Sequence, residues 1–124
     1  TSAQNYEPIL RIRGPMIHAQ LAETYLLNVI NFQTLIASKA SRIRNVAPNK
    51  VLLEFGTRRS HSPLAGIYAA RASYIAGFNG TSNVIADIEL GIKSSGTMAH
   101  SFVQKFNTEL DSFNVYYDIY GENS

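Results

Sequence analysis

The 124-residue sequence contains no cysteine, and its three histidines stand far apart. Without cysteine the chain has neither disulfide bonds nor thiolate-bound zinc, and it fits a reducing compartment, so we expect a cytoplasmic protein. The positions of His18, His61 and His100 match no metal-ligand spacing. We therefore expect no metal site built on histidine.

Long apolar runs are missing as well. No stretch reaches the about eighteen apolar residues that a membrane-spanning helix needs, although 45% of the chain is hydrophobic. The N-terminus lacks a basic start followed by an apolar run, so we expect no signal peptide. Because the chain starts at Thr1 and not at methionine, we expect a processed, trimmed or excised polypeptide. Its length predicts one domain or a piece of one.

The charges are unevenly distributed along the chain. Residues 1–59 hold eight Lys or Arg against three acids, whereas residues 60–124 hold three against six. A basic half is compatible with nucleic-acid binding. The cations form no dense run, however, and a small anionic ligand is the more economical interpretation. The arginines that a nucleic acid would use are Arg11, Arg13, Arg42 and Arg44.

The apolar pattern of the first third predicts a strand and a long helix. Residues 9–13 alternate apolar and cationic side chains, which is typical of a half-exposed strand. No Gly or Pro falls between residues 16 and 47, where apolar residues recur every three or four positions and predict one helix. The face expected to pack on the core consists of Leu21, Tyr25, Val29, Phe32, Ile36, Ala40 and Ile43.

Strands and helices are predicted to alternate after this helix. Residues 51–53 form a continuous apolar run, typical of a strand buried on both faces. Ser62 and Pro63 mark the start of a helix that Gly77 ends. Residues 77–83 match neither a P-loop nor a dinucleotide fingerprint and are expected to form a loop.

The last forty residues continue the alternation. Thr81 or Ser82 is expected to cap a short helix that Gly91 closes. A short strand is predicted at residues 93–99, and Ser101 is expected to cap one last helix. This order is typical of parallel βα units.

Cationic and aromatic residues follow the strand at residues 51–53. Arginine binds a carboxylate or phosphate through two parallel hydrogen bonds, and an aromatic face can cover a flat ring. Phe55, Gly56, Arg58 and Arg59 together suit a planar aromatic acid. Alternatively, one arginine pairs with Glu54 and the other is solvated.

A second polar group follows the strand predicted at residues 93–99. Gly96 and Thr97 can expose backbone donors, and His100 and Ser101 stand at a helix start, which favours anions. A histidine there can move a proton, carry a phosphoryl group or bind phosphate. A structural histidine hydrogen-bonded to the backbone is the alternative.

Three stretches of the chain resemble the nicotinate phosphoribosyltransferase family. They are QLAETYLLNVINFQTLIASKASRIR (residues 20–44), VLLEFGTRRSHSPLAGIYAARASYIAGFNGTSNV (51–84) and SGTMAHSFV (95–103). They occur in the family's order, and the resemblance covers about residues 7–106. It implies an enzyme of NAD biosynthesis that forms nicotinate mononucleotide and pyrophosphate from nicotinic acid and phosphoribosyl pyrophosphate.

The resemblance also implies roles for the residues after the first strand. Phe55 would lie near the nicotinate ring, Arg58 near its carboxylate, and Arg59 would face phosphate. Ser82 stands where nicotinamide-using relatives carry an acidic residue. It favours the acid, because a carboxylate at that position would repel nicotinate but accept a hydrogen bond from an amide.

By the same resemblance, His100 matches the histidine that the family phosphorylates when it couples the reaction to ATP hydrolysis. Thr97 and Ser101, beside it, would bind substrate. Mg²⁺ would assist the departure of pyrophosphate. The resemblance assigns no metal ligand to this chain, so the Mg²⁺ and ATP ligands are expected elsewhere in the protein.

Family members are several times longer than this chain. We therefore expect a fragment of an irregular phosphoribosyltransferase-type α/β barrel with parallel strands and a long N-terminal helical segment. Residues 1–15 would be a strand of the preceding domain, and residues 16–124 the helical lead-in and the first two to three βα units. Alone, the fragment is expected to be inactive and to associate with itself or with the missing barrel half.

Three other interpretations remain open. The first is a related phosphoribosyltransferase that uses nicotinamide or quinolinate. The second is a non-catalytic assembly piece, in which the long helix offers its apolar face to a partner chain. The third is a nucleic-acid binder that uses the arginines of the basic half.

Overall fold

A computed structural model describes residues 8–123 of the chain. Its helices are α1 (Met16–Val46), α2 (Pro63–Ile75), α3 (Val84–Leu90), α4 (His100–Val103) and α5 (Glu109–Tyr120), and its strands are β1 (Leu53–Glu54) and β2 (Gly80–Thr81). Short 3-10 helices span Thr57–Arg59 and Gly121–Asn123. Within residues 8–123, no helix is both long and apolar enough to cross a membrane.

The sheet is small and parallel, as the alternation of elements predicts. Leu53 lies opposite Gly80, and Glu54 lies opposite Thr81. An isolated parallel bridge joins Thr81 to Ser94. The strand predicted at residues 93–99 is therefore present only as this single bridge.

Two predictions about this sheet are wrong, one for a loop and one for a buried strand. Residues 77–83, expected to be a loop, contain β2, because backbone pairing with β1 overrides the low strand propensity of Gly80. Val51 is 76% exposed, so residues 51–53 are not a strand buried on both faces. β1 has only one paired neighbour in the described part of the chain.

Residues 9–13 do not form the predicted strand. The structure assigns no regular secondary structure to residues 8–15. An isolated strand leaves its N–H and C=O groups unpaired, and no strand within residues 8–123 pairs with this segment. Residues 1–7 of the expected preceding-domain strand lie outside the described residues.

The long helix α1 is confirmed, but its apolar face is buried over only part of its length. Ala40, near its C-terminal end, is buried, whereas Leu21 and Tyr25 are 77% and 64% exposed. The physical reason is length: α1 has 31 residues and its packing partner α2 has 13. The expectation of a fully covered face is wrong for the first half of α1.

Helix α2 packs on α1 through small side chains. A face of small residues lets two helix backbones approach closely. Polar contacts add to this packing: Arg71 donates to Oε1 of Gln33 at 2.7 Å, and a hydrogen bond with Tyr25 raises the pKa of Tyr68. The buried residues of α2 are Gly66, Ala69, Ala70, Ala72 and Ser73.

The helix start and stop signals are partly confirmed. Ser62 caps α2 by accepting a hydrogen bond from the Ala65 N–H at 3.1 Å, with Pro63 in the first turn. Gly91 closes α3 in the left-handed conformation, at φ 67°. The start of α3 differs from the expectation, because Asn83 caps it and Thr81 belongs to β2.

The single last helix predicted after Ser101 is two helices. Ser101 lies inside the short α4, whose N-cap is Ala99. A second cap, Thr108, accepts from the Asp111 N–H at 3.2 Å and starts α5. Aromatic rings join the two helices, with the ring centroids of Phe102 and Tyr116 5.9 Å apart.

Candidate active-site edge

The ends of the parallel strands meet at one edge of the sheet, where we expect the two polar groups to converge. The Ser82 N–H donates to the Glu54 carbonyl at 2.8 Å, and the Ser95 N–H donates to the Thr81 carbonyl at 2.9 Å. The segments that start at Phe55, Ser82 and Ser95 therefore leave the sheet side by side. In α/β folds this edge is where binding groups collect.

The 3-10 helix after β1 carries the two arginines. Gly56 precedes it, and the Arg59 N–H donates back to the Gly56 carbonyl at 2.9 Å. Arg58 and Arg59 are both exposed, and neither side chain forms a hydrogen bond or ion pair with another residue in the described range. Neither arginine forms the alternative ion pair with Glu54, so both guanidinium groups keep their donors available for an anion.

A cleft of about 650 Å³ opens between α1, the end of β1 and α2. Phe55 and Arg59 both line it, as do Lys39 of α1 and His61. Lys39 was not identified from the sequence, although its place three residues after Ile36 puts it beside the apolar stripe of α1. Arg58 follows Phe55 closely in the chain but does not line this cleft.

Thr97 lines a different cleft, of about 640 Å³, together with Gly96 and residues of α5. The α5 residues are mostly aromatic or polar. His100 and Ser101 are exposed on α4 and line neither cleft. Of the second predicted group, Gly96 and Thr97 therefore line a cleft, whereas His100 and Ser101 lie on an open surface. The α5 residues are Phe113, Asn114, Tyr116 and Tyr117.

A buried carboxylate at the end of β1 was missed by the sequence analysis as a site feature. Glu54 accepts hydrogen bonds from the Gly56 N–H and from the Thr81 hydroxyl, the latter at 2.8 Å. The Thr81 oxygen in turn accepts from the Asn83 N–H at 3.1 Å. The sequence signal for this role was an acidic residue directly after the apolar run at residues 51–53. A carboxylate buried at the end of such a run requires hydrogen-bond partners.

Asp87 of α3 binds Ser94, the residue that bridges to Thr81 of β2. Its carboxylate accepts hydrogen bonds from the Ser94 hydroxyl and from the Ser94 N–H. These two hydrogen bonds hold the pKa of Asp87 below its ordinary value of 3.8. The contact fixes the backbone from which Gly96 and Thr97 extend.

The described residues do not make up a metal site by themselves. Within residues 8–123, no group of three or more His, Cys, Asp or Glu side chains could hold a metal ion. Mg²⁺ prefers oxygen ligands arranged octahedrally, usually one or two carboxylates with several waters. No reaction step can be derived through Mg²⁺ from these side chains.

Comparison with known proteins places this edge in a family context. The sequence model of the nicotinate phosphoribosyltransferase (NAPRTase) family matches residues 51–119. The chain is 51% identical over 112 residues to the nicotinate phosphoribosyltransferase of Bacillus subtilis (strain 168), covering 90% of this chain and 23% of that protein. It is 45% identical over 114 residues to nicotinate phosphoribosyltransferase pncB2 of Mycobacterium tuberculosis (strain ATCC 25618 / H37Rv), covering 92% and 25%.

The fold is similar to part of a solved structure. The crystal structure of human nicotinic acid phosphoribosyltransferase superposes with a TM-score of 0.68 and 45% sequence identity, covering 75% of this chain and 19% of that one. The chain thus spans a quarter or less of the length of the relatives it matches.

Proposed function

This chain belongs to the nicotinate phosphoribosyltransferase family, and we propose that it is part of an enzyme of NAD biosynthesis. The enzyme joins nicotinic acid to the phosphoribosyl group of phosphoribosyl pyrophosphate and releases nicotinate mononucleotide and pyrophosphate. The observation that carries the proposal is the 51% identity over 90% of the chain. The family match includes both groups of polar residues at the sheet edge.

The acceptor pocket of the proposal begins at the end of β1. Phe55 covers the nicotinate ring, Arg58 binds its carboxylate, and Arg59 faces a phosphate. Unpaired guanidinium groups support these roles, since both substrates are anions and arginine holds carboxylate and phosphate through paired hydrogen bonds. The neutral hydroxyl of Ser82, at the same edge, does not repel the carboxylate of nicotinate.

During the transfer, positive charge develops on the ribose ring and negative charge on the departing pyrophosphate. As pyrophosphate leaves, the ribose carbon gains oxocarbenium character and the pyridine nitrogen attacks it. Thr97 and the neighbouring Gly96 backbone bind substrate, with Ser101 beside them. His100, whose imidazole is exposed, takes the γ-phosphoryl group of ATP, forming an N–P bond as the P–O bond to ADP breaks, and water later releases phosphate from it. The ligands of Mg²⁺ would lie elsewhere in the full-length protein, where the ion would neutralise charge on the leaving pyrophosphate.

The architecture of the proposal is an incomplete barrel. Residues 1–15 belong to a preceding domain, and residues 16–124 are the helical lead-in with the first two to three βα units. The parallel order of β1, β2 and the bridge at Ser94 supports it. The open sides are covered by the remaining barrel or by a second copy, and the enzyme is cytoplasmic.

The proposal is tested by an acceptor competition on the full-length protein that carries this chain. Nicotinic acid, nicotinamide and quinolinic acid are supplied together with phosphoribosyl pyrophosphate and ATP, and the mononucleotides are separated and quantified. Nicotinate mononucleotide is expected as the main product. Preferential use of nicotinamide or quinolinate would establish the related transferase instead.

A variant sharpens this test. Ser82→Asp places a carboxylate beside the acceptor and is expected to raise the KM for nicotinate, because like charges repel. Ser38→Asp, which adds the same charge at an exposed position of α1, is the matched control. Equal nicotinate KM values in the two variants would show that Ser82 does not lie in the acceptor pocket.

One observation favours a second candidate function, a non-catalytic assembly piece. The first half of α1 exposes large apolar side chains such as Leu21 and Tyr25, which is typical of surfaces that meet another chain. A full-length protein that associates through this face without forming any mononucleotide would support it. Nucleic-acid binding is less favoured, because Arg44 is engaged by carbonyl groups of the chain itself.

A further inference from the structure

A chain of buried polar groups lies at the base of the proposed acceptor pocket. Glu54 accepts from the Gly56 N–H through one carboxylate oxygen and from the Thr81 hydroxyl through the other. The Thr81 oxygen also accepts from the Asn83 N–H. Both oxygens of the carboxylate are therefore used, and each bond reaches a different segment of the sheet edge.

These groups are withdrawn from solvent. Thr81 is 0% exposed, and Glu54 and Asn83 are 9% and 6% exposed. No cation among the described residues forms an ion pair with Glu54. A buried carboxylate without a cationic partner is costly, so its hydrogen bonds are the contacts that stabilise it in this place.

The bonds fix the two segments that would face the acceptor. Gly56 opens the 3-10 helix that bears Arg58, so its bond to Glu54 sets where that helix starts. Ser82 is held on both sides, since its neighbours Thr81 and Asn83 are joined through the Thr81 hydroxyl. The carboxylate of Glu54 thus sets the separation between the 3-10 helix that bears Arg58 and the backbone of Ser82.

Glycine at position 56 is part of the same arrangement. A Cβ added to Gly56 would lie 2.8 Å from Oε1 of Glu54, which is closer than side chains pack. The turn and the carboxylate therefore approach each other as closely as backbone atoms allow.

We propose that Glu54 and Thr81 are positioning residues for the nicotinate acceptor. Together they hold the 3-10 helix that bears Arg58 and the backbone of Ser82 at the separation that binds nicotinate. The inference rests on the proposed function and adds the residues that determine the geometry of its acceptor pocket. In this role neither residue needs to touch the substrate. They act through the backbone of Gly56 and Ser82.

The test compares two substitutions of Thr81 in the full-length protein. Thr81→Val keeps the shape but removes the hydroxyl, whereas Thr81→Ser keeps the hydroxyl and is the matched control. Because small displacements of binding groups have large effects, Thr81→Val should raise the nicotinate KM about tenfold or more and change the phosphoribosyl pyrophosphate KM less than about twofold. Thr81→Ser should keep both KM values close to wild type.

A purely structural role predicts a different result. It would lower kcat through loss of folded enzyme and leave both KM values unchanged, or shift them equally. Glu54→Gln is the second variant, since it keeps the side-chain length while one oxygen becomes an N–H donor that cannot accept from Thr81. It should raise the nicotinate KM in the same selective way.

The outcomes separate this inference from the proposed function. Nicotinate mononucleotide formed by the wild type, together with an unselective effect in Thr81→Val and Glu54→Gln, would overturn the inference alone. Failure of both variants to fold would also overturn it, because the role would then be structural. No product from the wild type would overturn the proposed function and this inference with it.

Discussion

At the scale of single residues, Arg44 shows how a cation can have a role that its sequence position does not reveal. Its guanidinium donates to the carbonyl of Gly77, to the carbonyl of Lys50 and to Oδ1 of Asn79, each at 2.8 Å. It therefore ties the end of α1 to the segments that lead into β1 and β2. From the sequence, Arg44 was grouped with the arginines that a nucleic acid would use, because partners up to 35 residues away leave no periodic signal.

Substitution of Arg44 should loosen the start of both strands. Arg44→Lys keeps the charge but loses the planar fork, and the loss of several charged hydrogen bonds should lower the local opening free energy by about 2 kcal/mol. Native-state hydrogen exchange at the amides of Leu52 and Asn79, which bond to each other's segment, measures this. Arg42→Lys, at a nearby exposed position, is the control. Equal exchange in both variants would contradict the role of Arg44.

Asp87 predicts an acid-dependent loss of stability. Ser94 lowers the folded-state pKa of Asp87 below 3.8, so its contribution to stability is present above that pH and disappears as the pH falls through the lowered pKa. Asp87→Asn should therefore lower the thermal midpoint at neutral pH, and the difference from wild type should shrink below pH 3.8. Asp118→Asn, on exposed α5, should show no such convergence. A pH-independent difference at position 87 would refute the prediction.

The candidate site was predictable only where residue type carries the signal. Phe55, Arg58 and Arg59 are identifiable from their chemistry after an apolar run, and the structure leaves both arginines unpaired within the described residues. Glu54 was not assigned a site role, because only the pairing of β1 with β2 brings Thr81 to its carboxylate. The roles of all the candidate site residues stay predictions: Phe55, Arg58, Arg59, Ser82, Thr97, His100 and Ser101.

At the scale of elements, local signals predicted the helices better than the strands. α1 and α2 follow from apolar periodicity and from Ser62 and Pro63. β2 is two residues long and contains Gly80, so no alternation can identify it, and it forms because neighbouring backbone pairs with it. α5 starts at the cap Thr108, and cap propensity alone does not distinguish Thr108 from Ser101, which lies inside α4.

Gly80 offers a test at this scale. A Cβ at position 80 would lie 2.5 Å from the Lys93 carbonyl oxygen, the acceptor of the Thr81 N–H. Gly80→Ala should therefore separate β2 from the Ser94 edge and cost about 2 kcal/mol, which speeds cleavage of the opened segment about thirtyfold. Limited trypsin cleavage after Lys93 in the full-length protein measures this opening. Gly14→Ala, which has no atom within 4 Å of its Cβ, is the control, and equal cleavage rates would count against the close approach.

At the scale of the whole molecule, the chain leaves much apolar surface uncovered. Large side chains are exposed on the first half of α1 and on α5, among them Leu21, Tyr25, Phe113 and Tyr117. Relatives are at least about four times longer than the matched part, and their additional length offers a source of cover in the proposed barrel. Exposed apolar surface of this kind favours association.

The 124-residue polypeptide alone should associate and should not form nicotinate mononucleotide. Sedimentation velocity at increasing concentration is expected to show a rising average mass, because apolar surface is buried between copies. Leu21→Glu should weaken this association, while Ser38→Glu, at an exposed polar position of α1, should not. A monomer at all concentrations, or product formed in a contaminant-free preparation, would contradict the prediction.

The two strands are fastened at both of their ends. Arg44 and Asn79 hold the segments that enter β1 and β2, and Glu54 with Thr81 holds the edge where they leave. A strand pair so anchored has little freedom to slide or rotate. Any closing motion over a bound ligand must then come from segments beyond the sheet, of which residues 95–99 have no regular structure. We expect substrate-dependent changes in backbone order parameters in residues 95–99, with β1 and β2 acting as the fixed frame.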